Sequence, residues 1–115
     1  SEFDTLESIV SSFNNRFGDI DWGDGVDAKE AESVLTKDIP LRLENDLEGL
    51  MSILNSDKSN AREESNNLVK TLMQSMMFTN TSIYKKYADD DNFRSRYQEF
   101  IFDMLWSKSQ KELRK

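Results

Sequence analysis

Asp19, Asp21 and Glu30 fall at positions 1, 3 and 12 of a calcium-binding loop, inside the only long glycine-bearing segment of the chain. The match fails in the middle. Such a loop needs an oxygen-bearing side chain at position 5 and glycine at position 6, and Gly23 and Asp24 stand there in the reverse order. The favoured reading of Gly18 to Asp27 is structural. Ile20, Trp22 and Val26 plug the loop onto a core, Gly23 and Gly25 let the backbone turn tightly around Trp22, and Asp27 caps the next helix with Glu30 completing a capping box.

Other chemistry is scarce. The chain has no Cys and no His, which removes disulfides, thiolate metal sites, the commonest general base and the commonest transition-metal ligand. No glycine-rich phosphate loop, dinucleotide turn or nucleophile elbow occurs. Acid-base work by paired carboxylates remains conceivable, yet the acids sit in caps, first turns and polar faces, where solvated surface accounts for them. The domain is therefore expected to be non-catalytic, with no cofactor and no metal of its own.

What remains is charge and exposed aromatic surface. Lys85, Lys86, Arg94, Arg96, Lys108 and Lys111, with Arg114 and Lys115 beyond them, could line a basic ridge that meets DNA phosphates without reading bases. The blander reading has Arg94 and Arg96 snorkelling over aromatic neighbours, and Lys108 onward complementing a helix C-terminus. Asp89 to Asp91 would partly cancel the field of the ridge, and from the residues alone this blander reading is the favoured one. Overall charge is 15 basic against 22 acidic residues, net −7, which disfavours polyanion binding by the surface as a whole. From Lys85 onward there are eight basic and six acidic residues (+2), leaving seven and sixteen (−9) for residues 1 to 84, so only the C-terminal quarter could face phosphate.

The elements that must position these groups are helices. Four Gly and one Pro in 115 residues is too few for the turns of a sandwich or a doubly wound sheet, and no segment alternates like a strand. Leu6, Ile9, Val10, Phe13 and Phe17 make one face of a first helix over about 4–17, with Asp4 as N-cap and Gly18 at the C-terminus. Two helices share about 28–54 and meet near Asp38 to Pro40, where proline should stop or kink the chain; Gly49 could mark a further break. A fourth helix is expected over about 59–78, and a short fifth around Ile83, Tyr84 and Tyr87 that Asp89 to Asp91 both ends and follows with a cap. The methionines at 51, 73, 76, 77 and 104 fall at core spacing and are read as core rather than as an adaptable groove.

Tyr84 to Trp106 holds the densest aromatic content. Phe93, Tyr97, Phe100, Ile101, Met104 and Leu105 share one broad helical arc, while Phe102 and Trp106 lie off it. Either neighbouring helices surround this one, the favoured reading, or Phe102 and Trp106 form a patch for a partner. The expected fold is a compact, irregular all-α bundle of about six helices around this C-terminal helix, one domain over 1–115. The opening Ser1-Glu2-Phe3 is given little weight, as a cloning remnant. No apolar run approaches the roughly 18 residues of a membrane span, no signal-peptide pattern opens the chain, and a cytoplasmic setting is the simplest expectation.

In combination, Asp21-Trp-Gly-Asp-Gly-Val26, Leu35-Thr-Lys-Asp-Ile-Pro40, Ser56-Asp-Lys-Ser-Asn-Ala-Arg62, Ile83-Tyr-Lys-Lys-Tyr87 and Asp91-Asn-Phe-Arg-Ser-Arg-Tyr-Gln-Glu-Phe-Ile-Phe-Asp-Met-Leu-Trp106 resemble the extreme C-terminal region of the R, or motor, subunit of type I restriction-modification enzymes, subfamily IC. The resemblance spans almost the whole chain. It implies a helical domain excised from a bacterial DNA translocase and endonuclease whose nuclease and ATP- and magnesium-using helicase domains lie elsewhere. No catalytic residue carries over. The implied role is assembly with the methyltransferase and specificity subunits together with sequence-independent contact to duplex DNA, and the alternative is a purely protein-binding module. Candidate DNA contacts are Lys85, Lys86, Arg94, Arg96, Lys108 and Lys111; candidate docking residues are Trp22, Asp24, Phe102 and Trp106.

Overall fold

A computed structural model describes residues 2–113, and every regular element among them is helical. The elements are α1 (Leu6–Phe17), α2 (Ala28–Ser33), a π-helical turn (Val34–Asp38), α3 (Ile39–Glu44), α4 (Leu47–Leu54), α5 (Lys58–Met73), the single turn α6 (Met76–Thr79), α7 (Ser82–Asp89) and α8 (Asp91–Leu113). The all-α expectation holds, and α8 is the central element, running against α4, α5 and α7. Its consecutive residues Phe100, Ile101 and Phe102 are all fully buried, so neighbours cover this helix on every side. No helix among the described residues is long and apolar enough to cross a membrane.

Several local expectations give way to packing. Thr5, not Asp4, caps α1: its hydroxyl accepts from the Ser8 N–H at 3.0 Å, and Ser8 Oγ accepts from the Thr5 N–H at 2.9 Å, a reciprocal box. Gly18 keeps a right-handed helical φ of −63° rather than the left-handed C-terminal geometry. Phe3, discounted in the sequence, is buried against Phe100 with ring centroids 6.0 Å apart. The fourth helix stops at Met73, and Ser75 separates it from α6. Met73 and Met104 are core residues as expected, whereas Met51, Met76 and Met77 are exposed.

An element boundary falls near Pro40 as expected, α3 beginning at Ile39 with the proline in its first turn, but the backbone keeps helical φ and ψ across it. The chain runs unbroken from Ala28 to Glu44, and the break comes at Asn45–Asp46, where Asp46 caps α4 by accepting from the Gly49 N–H at 2.9 Å. Gly49 is thus an N-terminal residue of α4, and not a break within it. The π turn explains the tolerance of proline. In an α-helix the Pro40 ring would collide with the carbonyl four residues back. Here the Ile39 N–H reaches back five residues to the Val34 carbonyl, which shifts the register before the proline arrives.

That shift leaves the Leu35 carbonyl without its ordinary donors. Its α-helical partner, the Ile39 N–H, is engaged by Val34, and its π-helical partner would be residue 40, a proline with no N–H. The Tyr97 hydroxyl of α8 fills the place, donating to the Leu35 carbonyl at 2.7 Å in a buried site. Burial raises the Tyr97 phenol well above its ordinary range. Phe replacement at Tyr97 should therefore cost about 1–3 kcal/mol in urea unfolding at neutral pH, the cost of orphaning a buried carbonyl. The pH dependence has a definite sign. The contribution of a phenol raised in the folded state is complete below about pH 10 and is lost as pH climbs toward the folded value. Y97F should flatten that alkaline decline.

Candidate interaction surface

The 18–27 segment folds as the structural reading expects, around its two left-handed glycines, Gly23 (φ 77°) and Gly25 (φ 84°). Asp21 accepts from the Gly23 N–H at 2.9 Å, which tightens the turn and aims Trp22 inward. The indole lies parallel to Phe13 at 6.4 Å and edge-on to Phe93 at 5.5 Å. Asp27 caps α2, accepting from the Lys29 and Glu30 N–H groups at 2.9 and 3.3 Å. Its own carboxylate takes both donors, and no bond from the Glu30 side chain closes the expected box. Of the acids in the calcium-like spacing, Asp19 turns to Arg96 at 3.2 Å and Asp21 accepts from the Gly23 N–H.

Opposite this loop stands α7. Together they enclose an open hollow of about 470 Å³, with Trp22, Asp24 and Val26 on one wall and Lys85, Lys86, Asp89 and Asp90 on the other. One docking pair from the sequence, Trp22 and Asp24, is thereby brought to two of the proposed DNA contacts. The hollow is mixed in sign, Asp89 and Asp90 lying beside the two lysines and Asp24 on the opposite wall.

The remaining cations are engaged one by one. Lys86 pairs with Asp90 at 2.9 Å and donates to the Asp21 carbonyl at 3.0 Å, tying loop to helix. Arg94 pairs with Asp91 and donates to the Tyr87 and Ala88 carbonyls at 3.1 and 3.0 Å, closing the end of α7. Arg96 lies 5.1 Å over the Phe17 ring, donates to the Arg16 carbonyl and pairs with Asp19. Lys108 pairs with Glu44 at 3.1 Å, and Lys111 pairs with Asp4. Only Lys85 of the six is exposed with no acid partner among the described residues. Arg114 and Lys115 lie outside the described residues. The snorkelling reading describes Arg96; Arg94 is instead a helix cap, and Lys108 and Lys111 reach across to α3 and to the N-terminal segment.

Phe102 is wholly buried, stacked on Trp106 at 5.9 Å and covered by the Arg62 guanidinium 4.3 Å above its ring. It cannot present a docking surface, and Trp106 is only half-buried beside it. Exposed apolar surface lies elsewhere, at Leu41 and on α4 at Leu47 and Met51, with Met76 and Met77 on α6. Sequence periodicity hid these residues because they continue the stripe of the core. Arg16 and Arg62 were also missed as covers of the aromatic core: Arg16 lies 5.6 Å from the Phe100 ring, held by Asp103 at 2.9 Å and Glu2 at 2.8 Å.

The Lys86 ammonium, and after it the Phe93 N–H, hold the Asp90 carboxyl below the usual carboxylate range. Stability from a depressed carboxyl is present above the unfolded value near pH 4 and is lost as pH falls through the folded value. Acid unfolding of Asp90→Asn, which keeps an acceptor for the cap but no charge, should show a flatter acid limb than the parent chain. Calcium added to millimolar levels should leave tryptophan emission unchanged, because Asp19 and Asp21 are turned to separate partners, Arg96 and the Gly23 N–H.

Compared with protein-family models, curated proteins and solved structures, the chain has no match in any of the three.

Proposed function

We propose that this chain is a non-catalytic assembly module, the C-terminal domain of the motor subunit of a type I restriction-modification enzyme, and that its principal work is docking protein on protein. In this reading ATP, magnesium and the cleaved DNA belong to other domains of a bacterial cytoplasmic complex, and the methyltransferase and specificity subunits are the partners.

The observation that carries the emphasis on protein rather than DNA is the engagement of the cations. Five of the six candidates are each held by an acid of the same chain. Surface ion pairs of this kind contribute only about 0–1 kcal/mol each, so a phosphate could open one cheaply. The stronger obstacle is the acid left behind. Two like charges about 4 Å apart near a protein surface repel by about 1–4 kcal/mol, which would offset the gain from each phosphate contact. A net charge of −7 adds to that opposition.

Accessory DNA contact is the second reading, and the exposed, acid-free Lys85 is the observation that favours it. Two measurements separate the two. Removing the residues of this chain from the full-length motor subunit should weaken loading on the methyltransferase–DNA complex about tenfold or more, as loss of a docking surface does. Lys85→Glu in the same subunit should change DNA affinity less than about twofold and leave its salt slope in place. Undiminished loading after the deletion would defeat the assembly role; a large loss of DNA affinity in K85E would return the chain to DNA contact.

A further inference from the structure

Where the end of α5 meets α7 and the start of α8, the surface opens into a hollow of about 360 Å³. Lys70 and Gln74 come to it from the end of α5, Tyr84 and Tyr87 from α7, and Arg94 and Gln98 from α8. Its walls hold two cations and no acid, in a chain whose net charge is −7. The buried Met73 and Ala88 add apolar surface beside the two phenol rings. The size lies at the low end of the ~300–1,000 Å³ found for small-molecule sites, whose walls are commonly apolar with a few convergent polar groups.

Hydrogen-bonding capacity on these walls is unevenly used. The Lys70 ammonium, the Gln74 side-chain amide and the Tyr84 hydroxyl have no partner among the described residues. Tyr87 accepts from the Gln98 amide at 3.2 Å, which leaves the Tyr87 proton to be donated elsewhere. Arg94 is committed to structure, since the Tyr87 and Ala88 carbonyls and Asp91 engage its guanidinium. Lys70 stands in the last turn of α5, and complementing that helix end still leaves an ammonium with hydrogens to donate. Free donors of this kind select a ligand rich in acceptors.

Charge then decides which acceptor. Arg94 is balanced by Asp91, whereas Lys70 is not balanced, so the walls offer a single surplus positive charge. One carboxylate matches it. A phosphate dianion would keep a surplus negative charge against a molecule already at −7. We propose that this hollow binds a small organic carboxylate: Lys70 pairs with the carboxylate, Gln74 and Tyr84 donate to its oxygens, and the tyrosine rings with Met73 hold an apolar body. The site goes beyond the assembly role proposed above and does not depend on it.

The test uses this chain, labelled with nitrogen-15, and follows the side-chain amide resonances of Gln74 and Gln98 during titration with phenylacetate. Saturable shifts of both are expected, with a Kd of about 1–10 mM for a ligand this small. Phenylacetamide keeps the body without the charge and acetate keeps the charge without the body; each should bind about tenfold more weakly. Lys70→Gln removes the surplus charge and should weaken phenylacetate binding about fivefold or more. Tyr84→Phe, which deletes one donor, should weaken it about threefold. The control Lys58→Gln, at the opposite end of α5, should change it less than about twofold. The backbone amide spectrum shows whether each variant is folded. Absence of saturable shifts with both phenylacetate and hexanoate would overturn the proposal, as would equal binding of phenylacetate and phenylacetamide or unchanged binding in K70Q. Tighter binding of phenyl phosphate than of phenylacetate would overturn the assignment to a carboxylate.

Discussion

One hydrogen bond, from the Tyr97 hydroxyl to the Leu35 carbonyl, reconciles two demands that otherwise conflict. The helical rod from Ala28 to Glu44 contains a proline, and a proline within a helix leaves a carbonyl without its donor. The longest helix, α8, contains a fully buried tyrosine whose hydroxyl would be costly to bury alone. Each supplies what the other lacks, and the rod is thereby fixed in rotation against the centre of the core. Tyr97 also lies among Phe17, Phe93 and Phe100, so the polar bond and the aromatic cluster hold the same ring from two sides.

Around that centre the arginines act as covers. Arg16, Arg62 and Arg96 lay their guanidinium planes over Phe100, Phe102 and Phe17, with their charged ends turned to Asp103, Glu99 and Asp19. Such placement shields aromatic edges from water while leaving the cation solvated and paired. It also explains how a chain rich in aromatics and short of glycine keeps an acidic exterior. Five of the six candidate DNA-contacting side chains are paired with acids of the same chain, and Lys85 stays exposed.

Much of this was legible in the sequence, and the reasons differ by element. The α8 arc announced itself because six apolar residues at helical spacing have no other use, and Asp27 and the run Asp89 to Asp91 were readable as caps because short acids before helical stretches bond locally, the structure giving the second cap to Asp90. The two glycines around Trp22 were readable for the same local reason. Pro40 misled because its tolerance depends on Tyr97, 57 residues away in sequence. The α4 stripe misled because periodicity gives a helix a face and does not say whether anything covers it. The fate of the lysines and arginines lay furthest from view, since Arg96–Asp19, Lys108–Glu44 and Lys111–Asp4 are all made across the fold.

The pair between Lys111 and Asp4 has a topological consequence. It sets the start of the first helix within one lysine side chain of the final turns of the last. New ends could therefore be opened at the Asn55–Asp57 turn while the two elements are joined through a short linker, a circular permutation that leaves the core contacts of α8 in place.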